Sequence, residues 1–244
     1  MVLIMQQAQQ VKEFVSKIIE IKDETPTVKS FKVERQNGID FRPGQFFMVS
    51  FPNDPKIRTA RAYSIASPPT EKKYLEIALN KIAQFTAKLF TLKEGDMLKF
   101  KGPYGKFYFN DEMKNDIILV AGGTGITPLM SIIRLCNDNK SGNRIRFIYS
   151  VRTSNEIIYK DELEKIKGSN ANFDYSVTVT RPEESHGWKG KIGRINVELL
   201  KENIEDAENS LYFLCGPKEF VDSVISMLQS LGVKREQIKT DVWG

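Results

Sequence analysis

Apolar residues fall into short β-like runs along the first half of the chain and into longer, mixed periodicities along the second. Between Val11 and about Phe109, β-branched and aromatic residues recur at strand length over residues 14–21, 28–33, 45–51, 62–66, 74–80 and 97–101. Asn37-Gly38, Arg42-Pro43-Gly44, Ser67-Pro68-Pro69 and Glu94-Gly95-Asp96 lie between these runs and supply turn geometry. Many short strands at regular spacing predict a six-stranded β-barrel. Residues 82–92 lack Gly and Pro and predict a short helix.

From Asp116 the rhythm becomes strand, glycine turn, helix, strand. Ile117-Ile118-Leu119-Val120 reads as a buried strand, 128–137 as a helix, 144–150 as a strand and 160–167 as a helix. Further units follow at 173–180, at 197–202, in the strand 210–215, in the helix 218–231 and in a last short strand near 238–242. This is the pattern of an α/β parallel sheet. The predicted organisation is two domains, the barrel over residues 1–112 and the α/β domain over 113–244.

Composition narrows the chemistry. The chain has 244 residues, one His and two Cys, too few soft ligands for a Cys₂His₂ or His₃ zinc site or a Cys₄ cluster. No metal is expected, so redox chemistry here must use an organic cofactor. The net charge of +5 is small and its lysines are interspersed with acids, which argues against nucleic acid. No apolar run approaches the roughly 20 residues of a transmembrane helix. Met1 to Met5 is apolar but runs into Gln6 and Gln7 without the features of a signal peptide, and two unpaired cysteines suit a reducing compartment, so a cytoplasmic location is expected.

Three segments carry candidate chemistry. Arg61-Ala62-Tyr63-Ser64-Ile65-Ala66-Ser67 sets an arginine, an aromatic and a hydroxyl along one strand. A guanidinium clamps a diphosphate, a phenol lies against a flat ring and a hydroxyl bonds a heterocycle nitrogen. The same alternation also suits an ordinary edge strand. Ala121-Gly122-Gly123-Thr124-Gly125-Ile126-Thr127-Pro128 sits between a buried strand and a helix, where glycines let the backbone approach a ligand, Thr127 can cap and Pro128 suits the first turn. A helix start of this kind can receive a pyrophosphate, although the segment is neither a G-x-G-x-x-G fingerprint nor a P-loop. Leu214-Cys215-Gly216-Pro217 ends another strand, where ligands of open α/β sheets collect. Cys136 lies within a helix and reads as core.

Taken in order, Arg61-x-Tyr63-Ser64, Gly102-Pro103-Tyr104-Gly105, Gly122 to Pro128 and Cys215-Gly216-Pro217 resemble the ferredoxin–NADP⁺ reductase-like flavoproteins over nearly the whole chain. The resemblance implies FAD, or FMN, in the barrel and NADPH or NADH on the second domain. It implies Arg61 on the flavin phosphate, Tyr63 against the ribityl and ring, and Ser64 near flavin N5. Ala62, Asn80 and Phe85 join the expected flavin contacts. Ala83 and Thr86 match the small-residue and hydroxyl positions at the start of the barrel helix, with Ala83 standing where the family usually has Gly. Thr86 can equally bond its own turn.

The same resemblance places the pyridine nucleotide on Gly122, Gly123, Thr124, Gly125, Thr127 and Pro128, with Arg152 and Thr153 after the second strand and Cys215, Gly216 and Pro217 beside the nicotinamide. It implies a reductase moving hydride from nicotinamide C4 to flavin N5, with Ser64, Cys215 and Trp243 at the reacting centre. Asp241 and Trp243 match an acid and an aromatic that many relatives carry near the flavin; Trp243 either stacks on the ring or seals the interface. Arg152 favours a 2′-phosphate and Glu156 a free ribose, and the surplus of cations leans toward NADPH. The expected acceptor is a separate carrier such as ferredoxin or flavodoxin, or a small molecule, with Lys72, Lys73, Lys99, Lys101 and Lys106 as candidate docking residues. A reductase component of an oxygenase or multisubunit redox complex, and a non-catalytic sensor, are the alternatives.

Overall fold

The computed structural model describes residues 10–52, 54, 57 and 59–243, so the apolar Met1 to Met5 segment lies outside the described residues. The first six strands are β1 (Lys12–Thr25), β2 (Val28–Glu34), β3 (Phe46–Ser50), β4 (Arg61–Ser64), β5 (Tyr74–Asn80) and β6 (Met97–Tyr104), with helix α1 (Gln84–Leu89) between the last two. They form one antiparallel six-stranded sheet in the order β4-β3-β6-β1-β2-β5, curled into a nearly closed barrel.

Strand β1 is longer than its apolar run. Residues Lys12 to Lys17 pair with β6, and from Ile18 onward the strand pairs with β2. A register shift between Ile18 and Glu20 bends it at the change of partner, as a bulge does. Ser16 and Ile18 point inward before the shift while Val15 and Ile19 stay exposed. The barrel interior is aromatic and aliphatic, built around Phe31, Phe47, Phe100, Leu75 and Ile77, all nearly or fully buried. Helix α1 is shorter than predicted, because only Phe85 and Leu89 find that interior.

The two ends of the barrel sheet, β4 and β5, meet beyond β4. Ala66 N–H donates to Glu76 O at 2.8 Å, and Glu76 N–H donates to Ser67 Oγ at 3.0 Å.

The second sheet contains β7 (Ile117–Gly122), β8 (Ile145–Val151), β9 (Phe173–Val179), β10 (Lys191–Ile192), β11 (Leu211–Pro217) and β12 (Ile238–Trp243). All are parallel, in the order β10-β9-β8-β7-β11-β12. Helices α2 (Ile126–Asp138) and α3 (Lys160–Ser169) cover one face; α4 (Val197–Asn203) and α5 (Lys218–Ser230) cover the other. Every residue of β7 is buried: Ile117 and Leu119 face α2, and Ile118 and Val120 face α4 and α5. Two-sided burial explains the unbroken apolar run. Among the described residues, no helix is long and apolar enough to cross a membrane.

The core facing α2 also contains barrel residues Val28, Ala66, Ala78, Phe107 and Phe109. Phe107 and Phe109 meet the fully buried Phe213 of β11 edge-on, at 5.6 and 6.4 Å between ring centres. Phe213→Ala should therefore loosen both halves together, costing about 3–5 kcal/mol in chemical denaturation; a barrel unfolding at its wild-type midpoint would contradict this shared core.

Candidate functional site

Strand order in the second sheet reverses between β7 and β11, so their carboxyl ends flank a crevice of the kind in which open α/β sheets bind ligands. The barrel covers that crevice and divides it into linked clefts. The larger, about 500 Å³, is lined by Ala62, Tyr63, Ser64, Asn80 and Thr86 from the barrel and Thr124, Thr127, Pro128, Asp241 and Trp243 from the α/β domain. The second, about 330 Å³, is lined by Gly122, Gly123, Thr124, Arg152, Glu156 and Pro217 with Thr25, Thr27 and Val28 of the barrel. Asn80, Thr124 and Trp243 line both.

On the barrel side, Ala62, Tyr63 and Ser64 all reach the larger cleft because β4 is a short edge strand. Burial pushes the Tyr63 phenol up to about 12, with Arg61 opposing the shift, so the ring is neutral. Arg61 is exposed at the start of β4, its guanidinium 6.0 Å from the centre of the Phe85 ring. The Phe85 side chain is buried in the barrel, 4.8 Å from Phe51 between ring centres. Thr86 Oγ1 accepts from the N–H groups of Ile82 and Ala83 and donates to Ala83 O, so its hydroxyl serves its own turn.

On the sheet side, Gly123 has φ +54° with open space where a Cβ would project. Its carbonyl accepts from the buried Tyr149 hydroxyl at 3.0 Å, which pins the turn from beneath. A Cβ on Gly125 would lie 2.1 Å from Cys215 O and 2.9 Å from the Trp243 ring, so only glycine fits between β7 and β11. Thr127 does not cap helix α2: Gly125 occupies the cap position, and the Thr127 hydroxyl donates to Thr124 O at 2.9 Å and to the barrel's Ala78 O at 3.4 Å. Gly216 packs against Phe220, and Thr153 is buried at the start of a short turn leading to Glu156. Arg152 Nε donates to Glu156 Oε2 at 3.1 Å.

Ser64, Cys215 and Asp241 converge where the halves meet. Ser64 Oγ donates to Asp241 Oδ2 at 3.4 Å, and the buried Cys215 thiol lies 3.7 Å from the same oxygen. Burial pushes the Asp241 carboxyl above its ordinary range despite these contacts, and burial beside Asp241 pushes the Cys215 thiol well up, so Cys215 stays a thiol. Trp243, 38% exposed, stands between the two clefts. Cys136 is core.

The clefts suit a flat, largely apolar cofactor with few polar anchors: Phe46, Ala78, Leu79 and Ile82 supply walls and Ser64, Asn80, Thr124 and Asp241 the polar groups. Those wall residues, and Thr25, Thr27 and Phe220 on the second cleft, carry no local sequence signal; they become neighbours only when the domains dock.

Residues 14–109 match the oxidoreductase FAD-binding domain family and residues 119–225 the oxidoreductase NAD-binding domain family. The F component of the Na(+)-translocating NADH-quinone reductase of Marinomonas sp. is 30% identical over 235 residues, covering 90% of this chain and 57% of that protein. Phenol hydroxylase P5 protein of Acinetobacter pittii is 29% identical over 235 residues, covering 95% and 65%. The chain therefore spans less than two thirds of these relatives' length. A ferredoxin NADP+ reductase from Neisseria gonorrhoeae with bound FAD and NADP shares the fold at a TM-score of 0.80 and 24% identity, covering 95% of this chain and 98% of that one. A cytochrome P450 reductase from Amycolatopsis does so at 0.85 and 18%, covering 96% and 71%.

Because burial raises the Asp241 pKa, the folded protein keeps this proton to higher pH than the unfolded chain, and Asp241 subtracts stability as pH rises above about 3.9, the ordinary Asp value. Asp241→Asn should raise the melting temperature at pH 7 by a few degrees, with the gain vanishing below about pH 3.9. Parallel melting curves for the two proteins across the range would contradict a buried carboxyl.

Proposed function

Since the chain belongs to the ferredoxin–NADP⁺ reductase-like flavoproteins, with an FAD-binding barrel ahead of an NAD-binding domain, we propose that it oxidises a reduced nicotinamide nucleotide and passes the electrons to a separate acceptor. The observation that carries this reading is the pair of linked clefts crossing the domain seam, with Ser64, Cys215 and Asp241 at their junction. When bound, FAD supplies a centre that accepts two electrons together and releases them singly.

The residues of the chain bind and orient. Tyr63 offers a neutral ring face and Ser64 a hydroxyl whose direction Asp241 sets. Arg61, exposed at the start of β4, is the candidate ligand for a phosphate. Gly122, Gly123 and Thr124 give the nicotinamide nucleotide a backbone surface without side chains in the way. Trp243 occupies the boundary that a nicotinamide ring must cross, so it has to turn aside. None of these tasks needs a histidine base.

The surplus of cations near the second strand leans toward NADPH, but the Arg152 guanidinium is engaged by Glu156, whose carboxylate lines the nucleotide cleft. An acid there can accept a ribose hydroxyl and repels a 2′-phosphate, which supports NADH as the preferred donor. Anaerobic stopped-flow should show the FAD-loaded protein bleaching faster with NADH than with NADPH; no bleaching with either would reject the reading in favour of a non-catalytic sensor. Glu156→Gln should shift kcat/KM toward NADPH by roughly tenfold, the worth of one charged hydrogen bond, and an unchanged ratio would remove Glu156 from the choice.

For electron exit, a third cleft of about 320 Å³ backs onto the first across Phe46 and Asp241. Lys106, Arg235 and Lys239 line it, and Arg42 stands near Lys239. Arg235 donates to Ile238 O at 2.6 Å and Lys239 to Tyr108 O at 3.1 Å, both neutral acceptors that leave the positive charge uncompensated. This supports docking of an acidic carrier protein, and the names of the relatives support a place as the reductase component of a larger redox assembly. The other candidate lysines are elsewhere: Lys99 and Lys101 face Glu13 on the outer barrel, and Lys72 donates to Pro69 O. Replacing Lys106 and Arg235 together by Gln should slow reduction of a plant-type ferredoxin about tenfold and flatten its salt dependence, while reduction of a neutral quinone stays unchanged. Equal slowing of both acceptors would overturn the docking assignment.

A further inference from the structure

We propose that Arg134 is a positioning residue for this reaction, holding the nucleotide-binding helix α2 in register with the strand end that carries Tyr63 and Ser64. The inference rests on the reading that flavin and nicotinamide meet in the seam cleft. Helix α2 begins directly after the glycine turn and carries a polar stripe at Thr127, Ser131, Arg134 and Asp138, spaced to lie on one face. Each member bonds to the barrel. Thr127 donates to Ala78 O, Ser131 Oγ donates to Ser67 O at 2.7 Å, and the Thr70 hydroxyl donates to Asp138.

Arg134 is the anchor of the stripe. Its Nη1 donates to Ala66 O and to Glu76 Oε2, each at 2.9 Å, while Nε and Nη2 hold both oxygens of Glu162 on α3 at 2.7 Å. The guanidinium lies 4.8 Å from the centre of the Tyr159 ring, a buried residue at φ +57°. Ala66 follows Ser64 by two residues, and its N–H is the one that closes the barrel on Glu76. A single planar group therefore binds the peptide beside the flavin strand, the barrel closure and two helices of the nucleotide domain.

Burial of charge alone does not explain this arrangement. A buried ion pair can commonly be exchanged for uncharged groups without loss of stability. Apolar packing in its place would keep the domains together but impose no direction, whereas the forked hydrogen bonds of Arg134 fix angle as well as distance. Transfer between two rings is sensitive to displacements of about 1 Å, which can cost on the order of a hundredfold in rate.

The test is the balanced double variant R134M/E76Q, which removes both buried charges, compared with wild type as FAD-loaded proteins. It should fold with a melting temperature lowered by no more than the loss of the donor to Ala66 O implies, retain FAD and bind NAD⁺ within about threefold, yet its limiting rate of flavin reduction at saturating NADH should fall at least tenfold. In a measurement without turnover, the change in the flavin visible band on adding NAD⁺ should lose most of its amplitude. A double variant with the wild-type rate and spectrum would overturn the proposal, since charge balance alone would then suffice. Should it not fold, E162Q removes one acceptor of the fork at a partly exposed site, and a wild-type rate and spectrum there would equally overturn it. Wild type that NADH fails to reduce would instead reject the functional reading on which the proposal stands.

Discussion

The barrel ends its strand pairing at a place where carbonyl groups still need donors, and this requirement joins the two halves of the chain. Ala66, Ser67 and Ala78 offer their oxygens at the line where β4 and β5 fail to form a regular ladder. A buried carbonyl without a partner costs roughly as much as a lost hydrogen bond. Helix α2 supplies the donors from Arg134, Ser131 and Thr127, and the same face of the second domain receives Phe107 and Phe109. The site is thus a consequence of how the barrel is completed, because the helix that satisfies the carbonyls is also the one that starts at the glycine turn.

A buried and a half-buried carboxylate at this junction are treated in opposite ways. Glu76 faces a guanidinium, and its charge is met in full. Asp241 faces a hydroxyl and a thiol, neutral donors that leave its burial uncompensated and its pKa raised. The first arrangement suits rigid attachment. The second suits a group whose protonation can change while the walls around it stay in place.

Local periodicity carried the architecture. The run Ile117 to Val120 announced a strand buried on both faces, and the alternation before Phe109 announced a barrel, since burial pattern follows directly from strand pairing. Glycine motifs marked the tight turn after β7, where Gly125 leaves no room for a Cβ against Cys215. Contacts made by docking were illegible: Arg134 lies on a polar stripe of α2 that a solvated face would also show, and nothing local ties it to Ala66. The cap expected of Thr127 fails for a related reason: the Thr124 and Ala78 carbonyls take its hydroxyl. The length of β1 was likewise hidden, because its last residues, Lys22 to Thr25, are polar and are held by β2 rather than by an apolar pattern of their own.

That long strand bears on how the protein is made. Lys12 pairs with Gly102, so a chain emerging from its amino end carries β1 with one edge unsatisfied until β6 has followed it. The hairpin with β2 can form early and locally, but ring closure awaits a partner distant in sequence, the kind of contact that slows folding. In the interval the free edge, Lys12 to Lys17 with the exposed Val15, is open to pairing with other chains. Lys12, Glu13 and Lys17 place charge on that stretch during its exposed period.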